Sequence, residues 1–271
     1  MTTTAIDDTE LKARHRAMWA LGDYPALAHD VIGALGQELV DACGIIAGER
    51  VLDVAAGSGN ASIPAAGTGA EVVASDLTPA LVEAGRATSV GLPITWRVAD
   101  AEALPFSDGE FDHVISCVGV MFAPHHQAAA DELIRVARPG GNIGLVNWTP
   151  EGFIGEMFAT MKHFAPPPPA GVQPPPLWGS EAHVGSLFGD RVTELQLDRR
   201  TWRVDLFGSP SEFRDYFKTR YGPTISVYRS NAEDAERVAA LDQALDSLAE
   251  RYGAADGSME WEYLLVRATR G

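Results

Sequence analysis

The sequence predicts an α/β fold, a doubly wound and mostly parallel sheet with helices on both faces. Three observations carry this. Short apolar runs alternate with helix patterns from about residue 45 to residue 150, the rhythm of strands joined by helical crossovers. The first run breaks directly into a small-residue turn, "VLDVAAGSGN" at 51–60. The next two runs each close on an acid, Asp76 and Asp100, where open α/β sheets bind ligands.

Two helical segments precede the first strand. In the second, Leu27, Val31, Leu35 and Leu39 form an apolar stripe that suits docking on a core. The strands are then "RVLDVAA" (50–56), "AEVVASDL" (70–77), "ITWRVAD" (94–100), "FDHVISCVGV" (111–120) and "NIGLVNW" (142–148). Thr78 and Pro79 read as an N-cap with proline at the first helical position. Ala130, Leu133, Ile134 and Ala137 share one helix face, and "RPGG" (138–141) stops that helix.

After residue 150 the alternation ends. "FAPPPPAGVQPPPLWG" (164–179) is too rich in proline for a regular helix or a central strand. Two β-like runs follow, "VTELQLD" (192–198) and "TWRVDLF" (201–207). "SPSEFRDYF" (209–217) has serine, proline and glutamate at capping-box spacing. A long helix carries Val238, Leu241, Leu245 and Leu248 on one face, and "MEWEYLLVRATR" (259–270) closes the chain as a strand. No internal repeat is visible.

Bulk properties exclude several classes of function. A net charge of -16 speaks against nucleic acid as a partner, because phosphate binding is dominated by Lys and Arg. "DRRTWR" (198–203) is the one basic stretch, and a solvated strand edge accounts for it. No apolar run approaches the roughly 20 residues that span a bilayer, and "MTTTAIDDTELKARHRAMW" has no signal-peptide apolar core. Cys43 and Cys117 make neither a metal motif nor a disulfide framework. The expectation is a soluble, cytoplasmic protein, monomer or homodimer, with a small-molecule partner, no nucleic acid, no membrane and no metal.

The glycine turn alone says little, since small residues also let helices pack on sheets. The acid before it says more. Asp53 is followed by Gly57 and Gly59, and Ser62 stands where a dinucleotide fingerprint wants its third glycine. A carboxylate there repels a pyrophosphate but suits a cationic ligand such as S-adenosylmethionine, which carries an ammonium and a sulfonium. Asp76 is placed to accept hydrogen bonds from ribose hydroxyls; its structural alternative is a strand-end acid preparing the Thr78 cap. Asp100 could take the adenine amine and Ala101 offers the ring a backbone N–H; their alternative is another helix cap. Three acids at three successive strand ends converge on one crevice.

Together, "VLDVAAGSGN", "VVASDLTPALVEAGR", "ADAEALPFSDGEFDHVISCVGVMF" and "ELIRVARPGG" resemble the class I S-adenosylmethionine-dependent methyltransferases, in particular the small-molecule set that includes ubiquinone and menaquinone methyltransferases. Ala55 departs from the third glycine common in that family. The resemblance implies a Rossmann-like, seven-stranded sheet whose last strand is antiparallel, with "EYLLVRATR" inserted beside the strand ending in "VNW". It also implies S-adenosyl-L-methionine as cofactor. Asp53, Ala55, Gly57 and Gly59 would flank its methionine part, Asp76 and Leu77 its ribose and adenine, Asp100 and Ala101 the far edge of the adenine, and Cys117 and Val118 the methionine side. The whole chain then reads as one domain, with a helical cap (1–44), a cofactor-binding core (45–150), a substrate-covering insert (151–217) and a C-terminal helix and strand (218–271).

"MWALGDYP" (18–25) resembles the segment that closes over the cofactor in such enzymes. Tyr24 could then bond the methionine carboxylate and Trp19 could wall the pocket, with packing between helices as the alternative for both, more so for Trp19. Methyl transfer needs a base only when the acceptor must lose a proton; His125 and His126, after the fourth strand, are the candidates, with helix capping as their alternative. His113, mid-strand, reads as a packed core histidine. Trp148, Trp178, Phe158 and Phe164 suit a pocket for a flat apolar acceptor methylated on oxygen or carbon, with the proline-dense segment as its lid; plain core packing and a surface link are the respective alternatives. Two rival readings remain: a non-methylating enzyme of the same fold, and a nicotinamide-dependent reductase, which Asp53 and Ser62 oppose.

Overall fold

A computed structural model describes residues 7–271. The first six residues of the N-terminal cap lie outside the described residues.

Three helices lead in: α1 (Asp8–Trp19), α2 (Tyr24–Asp30) and α3 (Leu35–Cys43). The apolar stripe of the second predicted segment is therefore shared between α2 and α3. All four stripe residues are buried, so the pattern marked the docking face correctly while the chain breaks helical geometry at residues 31–34. The core alternates as expected: β1 (Arg50–Val54), α4 (Ser62–Gly67), β2 (Glu71–Asp76), α5 (Pro79–Thr88), β3 (Ile94–Val98), β4 (Phe111–Cys117), α6 (His126–Val136) and β5 (Ala137–Trp148). Ala137 does not extend the helix face. It begins β5, paired opposite Phe111, because the Arg-Pro-Gly-Gly stretch is taken up by the strand.

In the second half, α7 (Phe153–Lys162), α8 (Glu181–Phe188) and α10 (Gly222–Ser230) occupy stretches where no helix was predicted. Between α8 and α10 lie β6 (Val192–Val204) and α9 (Pro210–Arg220), so the expected division at 217/218 falls inside α9. The two predicted β runs are one strand. β6 pairs with the final strand β7 (Met259–Arg270) straight through Arg199 and Arg200, so the ladder overrides a polar pair that reads as a gap. Its irregularity lies earlier, between Thr193 and Gln196, where Glu194 has φ 51°. The long helix is α11 (Ala235–Arg251), with Leu241, Leu245 and Leu248 buried.

The seven strands are ordered β3-β2-β1-β4-β5-β7-β6. β1 to β5 run parallel, and β7 lies antiparallel between β5 and β6. This is the sheet the family resemblance implied, with "EYLLVRATR" beside "VNW". Consecutive buried residues in β1 and β4 show that both faces of the sheet are covered. Order reverses between β1 and β4, the topological switch point where such sheets hold ligands beyond the carboxyl ends of their strands. Packed beside it is an aromatic core in which Phe153 stacks on Trp261 at 5.1 Å. No described helix is long and apolar enough to cross a membrane.

Candidate functional site

Strand β1 ends at Val54, and the chain turns through Ala55 (φ 55°), Gly57 (φ 58°) and Gly59 (φ 101°) into α4. Asp76, at the end of β2, braces this turn. Its carboxylate accepts the Gly57 N–H at 2.9 Å and the Thr78 N–H at 2.8 Å. The sequence assigned Thr78 to the cap of α5, but its hydroxyl makes no cap bond; Asp76 holds the backbone N–H of Thr78 itself, just ahead of the helix. Burial raises the Asp76 carboxyl above its ordinary range, against those two bonds. Across the switch point, Ser116 Oγ donates to the Val54 carbonyl at 2.6 Å and accepts the Val120 N–H at 2.8 Å. Val118 takes φ 53°, and a Cβ on Gly119 would collide with the Ala55 carbonyl. Two non-glycine residues held in the left-handed region at adjoining strand ends are a costly arrangement of the kind found at ligand clamps.

A cavity opens over these turns, about 1180 Å³ in all when its solvent-open mouth is counted. Ala55, Gly57, Asp76 and Leu77 line it from the β1 and β2 ends; Asp100, Ala101, Cys117 and Val118 line it from the β3 and β4 ends, and Tyr24 from α2. The structure thus gathers most of the residues singled out from sequence on one wall system. Asp53 and Gly59 are not part of that lining. Asp53 lies beneath the turn, 1% exposed, where Ser62 Oγ donates to Oδ2 at 2.5 Å and Oδ1 has no partner. Ser62, the residue that broke the dinucleotide pattern, is therefore the hydrogen-bond donor to the acid. Burial pushes the Asp53 carboxyl up to about 7. Gly59 is covered by the indole of Trp96.

The fourth wall is α1. Lys12, His15 and Trp19 face the cavity, at the three- and four-residue spacing of one helix face. Sequence reading missed Lys12 and His15, though this periodicity could have found them. Lys12 Nζ sits 2.6 Å from Asp100, 2.8 Å from Glu102 and 3.0 Å from Asp8. These carboxylates already have their cation. Burial alone would lower the Lys12 ammonium, but its bonds to Asp100, Glu102 and Asp8 win and hold it above its usual range. Trp19 packs edge-on against Tyr24 and Phe122, at 5.2 and 4.6 Å. The Tyr24 hydroxyl accepts the Gly222 N–H at 3.0 Å, tying α2 to α10.

The histidines expected as base candidates are not at the cavity. His125 precedes α6, with its N–H and ring bonded to Glu102. His126 is fully buried, its Nδ1 2.9 Å from His183 Nε2 and its N–H bonded to Gln173. Burial, then the neighbouring His183 and His125, push it down to about 3. The His125 ring is thus spent on Glu102 and that of His126 on His183, and neither lines the cavity. His113 is buried and bonded to Glu49, as a core histidine should be.

Among the predicted pocket aromatics only Trp148 lines the cavity; Trp178, Phe158 and Phe164 do not. Their places are taken by Phe122, Phe217, Tyr221 and Trp261; Phe217 and Tyr221 lie one turn apart at the end of α9, while Phe122 and Trp261 come from stretches that no local pattern joins to them. The proline-dense segment is also no lid here: it packs at the start of α6, where the Gln173 N–H reaches the Pro124 carbonyl. The basic stretch on β6 is a paired strand edge, with Arg199 held by Glu151, Glu181 and Glu262, Arg200 by Glu38 and Arg203 by Asp205.

Residues 51–141 match the family model described as a methyltransferase domain. An uncharacterized protein of Mycobacterium tuberculosis is 54% identical over 258 residues, 94% of either chain. A demethylmenaquinone methyltransferase of Clavibacter sepedonicus is 42% identical over 99 residues, 36% of this chain and 40% of that one. A putative methyltransferase of Bacillus halodurans has the same fold, with a TM-score of 0.59 at 21% identity, over 88% of this chain and 99% of that one. The chain belongs to the class I S-adenosylmethionine-dependent methyltransferases. Its cofactor is S-adenosyl-L-methionine, and the nicotinamide reading is overruled. The methyltransferase domain model covers β1 to the start of β5, the stretch that contributes the strand-end turns of the cavity.

Proposed function

We propose that this methyltransferase acts on a small, largely apolar, aromatic or polyketide-like metabolite, methylated on oxygen or on an activated carbon. The observation that carries this reading is the composition of the cavity beyond the cofactor wall. Trp19, Phe122, Trp148, Phe217, Tyr221 and Trp261 face it, a surface suited to a flat apolar molecule held away from water. Helices α1 and α2 cover the strand edge from one side and α7 and α9 from the other, leaving no basic groove for RNA or DNA among the described residues.

The residues fit the cofactor's groups. The Asp76 carboxylate faces the cavity with lone pairs left over after its two N–H bonds, so it would accept from the ribose hydroxyls. Leu77 would frame the adenine, with Asp100 and the Ala101 N–H at its edge, and Val118 would stand on the methionine side. The Ala55–Gly57 turn and Cys117 would flank the methionine part, and Tyr24 its carboxylate end. Asp53 and Gly59 act at one remove, Asp53 through its charge beneath the turn and Gly59 through the turn's shape. When bound, the cofactor supplies a methyl group already activated on a sulfonium. The protein's part is to align the acceptor with that methyl and to exclude water, and alignment of this kind contributes several kcal/mol.

The test is incubation with methyl-labelled cofactor and, separately, a panel of phenols, enols and polyketide-like compounds, a bulk RNA fraction and a bulk protein fraction. Label is expected in the small-molecule arm. Label in RNA or protein alone would overturn the reading.

A further inference from the structure

We propose that His15 is the group that takes the proton from the acceptor, and that the acceptor therefore presents a phenolic or enolic hydroxyl. This rests on the function proposed above. Its basis is a survey of the titratable side chains lining the cavity. Asp76 accepts the Gly57 and Thr78 N–H groups and keeps its remaining lone pairs for the cofactor's ribose. Asp100 and Lys12 hold each other at 2.6 Å. The Tyr24 hydroxyl holds Gly222. The Cys117 sulfur accepts from the Asn60 amide at 3.4 Å, and burial keeps its thiol protonated. Burial likewise keeps the Tyr221 hydroxyl protonated. His15 lines the same cavity, half-buried one helical turn from Trp19, and no described residue hydrogen-bonds its ring. Among the described titratable residues of that lining it is the one proton acceptor with neither a protein partner nor a part in holding the cofactor.

The groups facing His15 suit the task. Burial comes first and lowers its pKa; Glu102 from the loop after β3 and Asp8 on α1 act the other way, while His125 at the start of α6 and Lys12 on α1 add to the lowering. The ring is thus neutral before reaction, and the carboxylates of Glu102 and Asp8 favour the imidazolium formed during it. The step balances. The hydroxyl proton passes to the imidazole, the hydroxyl oxygen bonds to the methyl carbon, the methyl–sulfur electron pair stays with sulfur, and the imidazolium afterwards gives its proton to water. An amine or thioether acceptor has no such hydroxyl proton to give.

The experiment uses 4-nitrophenol as the probe, with S-adenosylhomocysteine present, and reads the visible absorbance of the phenolate. Wild type is expected to show phenolate at a pH where the free probe is still protonated, and to lose it with one-proton dependence on further acidification, as a second proton reaches the imidazolium–phenolate pair. His15→Gln should bind S-adenosylhomocysteine by calorimetry as wild type does, yet lose the phenolate signal. Absence of the signal in wild type, its retention in His15→Gln, or a wild-type signal without the one-proton acid limb would each overturn the proposal. Failure of wild type to bind S-adenosylhomocysteine would instead strike the cofactor assignment, and this proposal with it.

Discussion

Replacing Asp53 by asparagine should stabilise the ligand-free protein at alkaline pH while weakening its hold on the cofactor. The Asp53 carboxyl is buried beneath the Gly57 turn, which pushes its pKa from 3.8 up to about 7. The sign follows from linkage. A folded-state pKa above the unfolded one means the folded protein binds the proton more tightly, so this contribution is fully present below about pH 4 and is lost as pH rises through 7. A rise from 3.8 to about 7 corresponds to roughly 4 kcal/mol of cost for carrying the buried charge above pH 7. The asparagine carbonyl in Asp53→Asn would still accept from Ser62, but its amide would stand where Oδ1 now lacks a partner, at a cost of about 1–3 kcal/mol for a buried unpaired donor. The net gain at pH 8 is then about 1–3 kcal/mol. The assay is urea denaturation of ligand-free wild type and Asp53→Asn at pH 4 and pH 8. Asp76 is shifted in the same direction, so the variant should show a shallower decline with pH than wild type rather than none. A variant less stable than wild type at pH 8, or a difference identical at both pH values, would refute the reasoning.

The other predictions concern the cavity walls. Asp76→Ala should weaken S-adenosylhomocysteine binding by roughly 1–3 kcal/mol, about 5- to 150-fold, by calorimetry; unchanged affinity in a folded variant would leave Asp76 as a brace for the two turns. Lys12→Met strips the cation from Asp8, Asp100 and Glu102, and with Lys12 itself only 11% exposed it should destabilise by roughly 1–3 kcal/mol. Limited proteolysis should then cut within α1 first, and an unchanged cleavage pattern would show that Lys12 does not pin the helix. His126→Gln should lower stability by about 1–2 kcal/mol through loss of its buried bond to His183, yet leave kcat within about twofold. A large kcat loss in that folded variant would return His126 to the chemistry.

The antiparallel last strand came with the family resemblance; what the residues by themselves determined is the parallel core and the strand-end residues that line the cavity. Those features are local: apolar runs of strand length, a small-residue turn after β1, acids at successive strand ends, and proline or serine at helix starts all act over a few residues, and a parallel βαβ core then brings its strand ends to one edge whatever else the chain does. Local pattern also has fixed blind spots. It read α2 and α3 as one helix because burial stripes continue across the break, and it split β6 at Arg199–Arg200 because only the pairing with β7 shows that the strand runs on. Tertiary structure decided the rest of the site. Whether a histidine faces the cavity depends on how its segment packs against its neighbours, which buried His126 against His183, bonded His125 to Glu102 and put His15 on the cavity wall. The aromatic wall brings Phe122, Trp148 and Trp261 to the Phe217–Tyr221 pair from stretches of chain far apart in sequence, and proximity of that kind is a property of packing, with no trace in the spacing of residues along the chain.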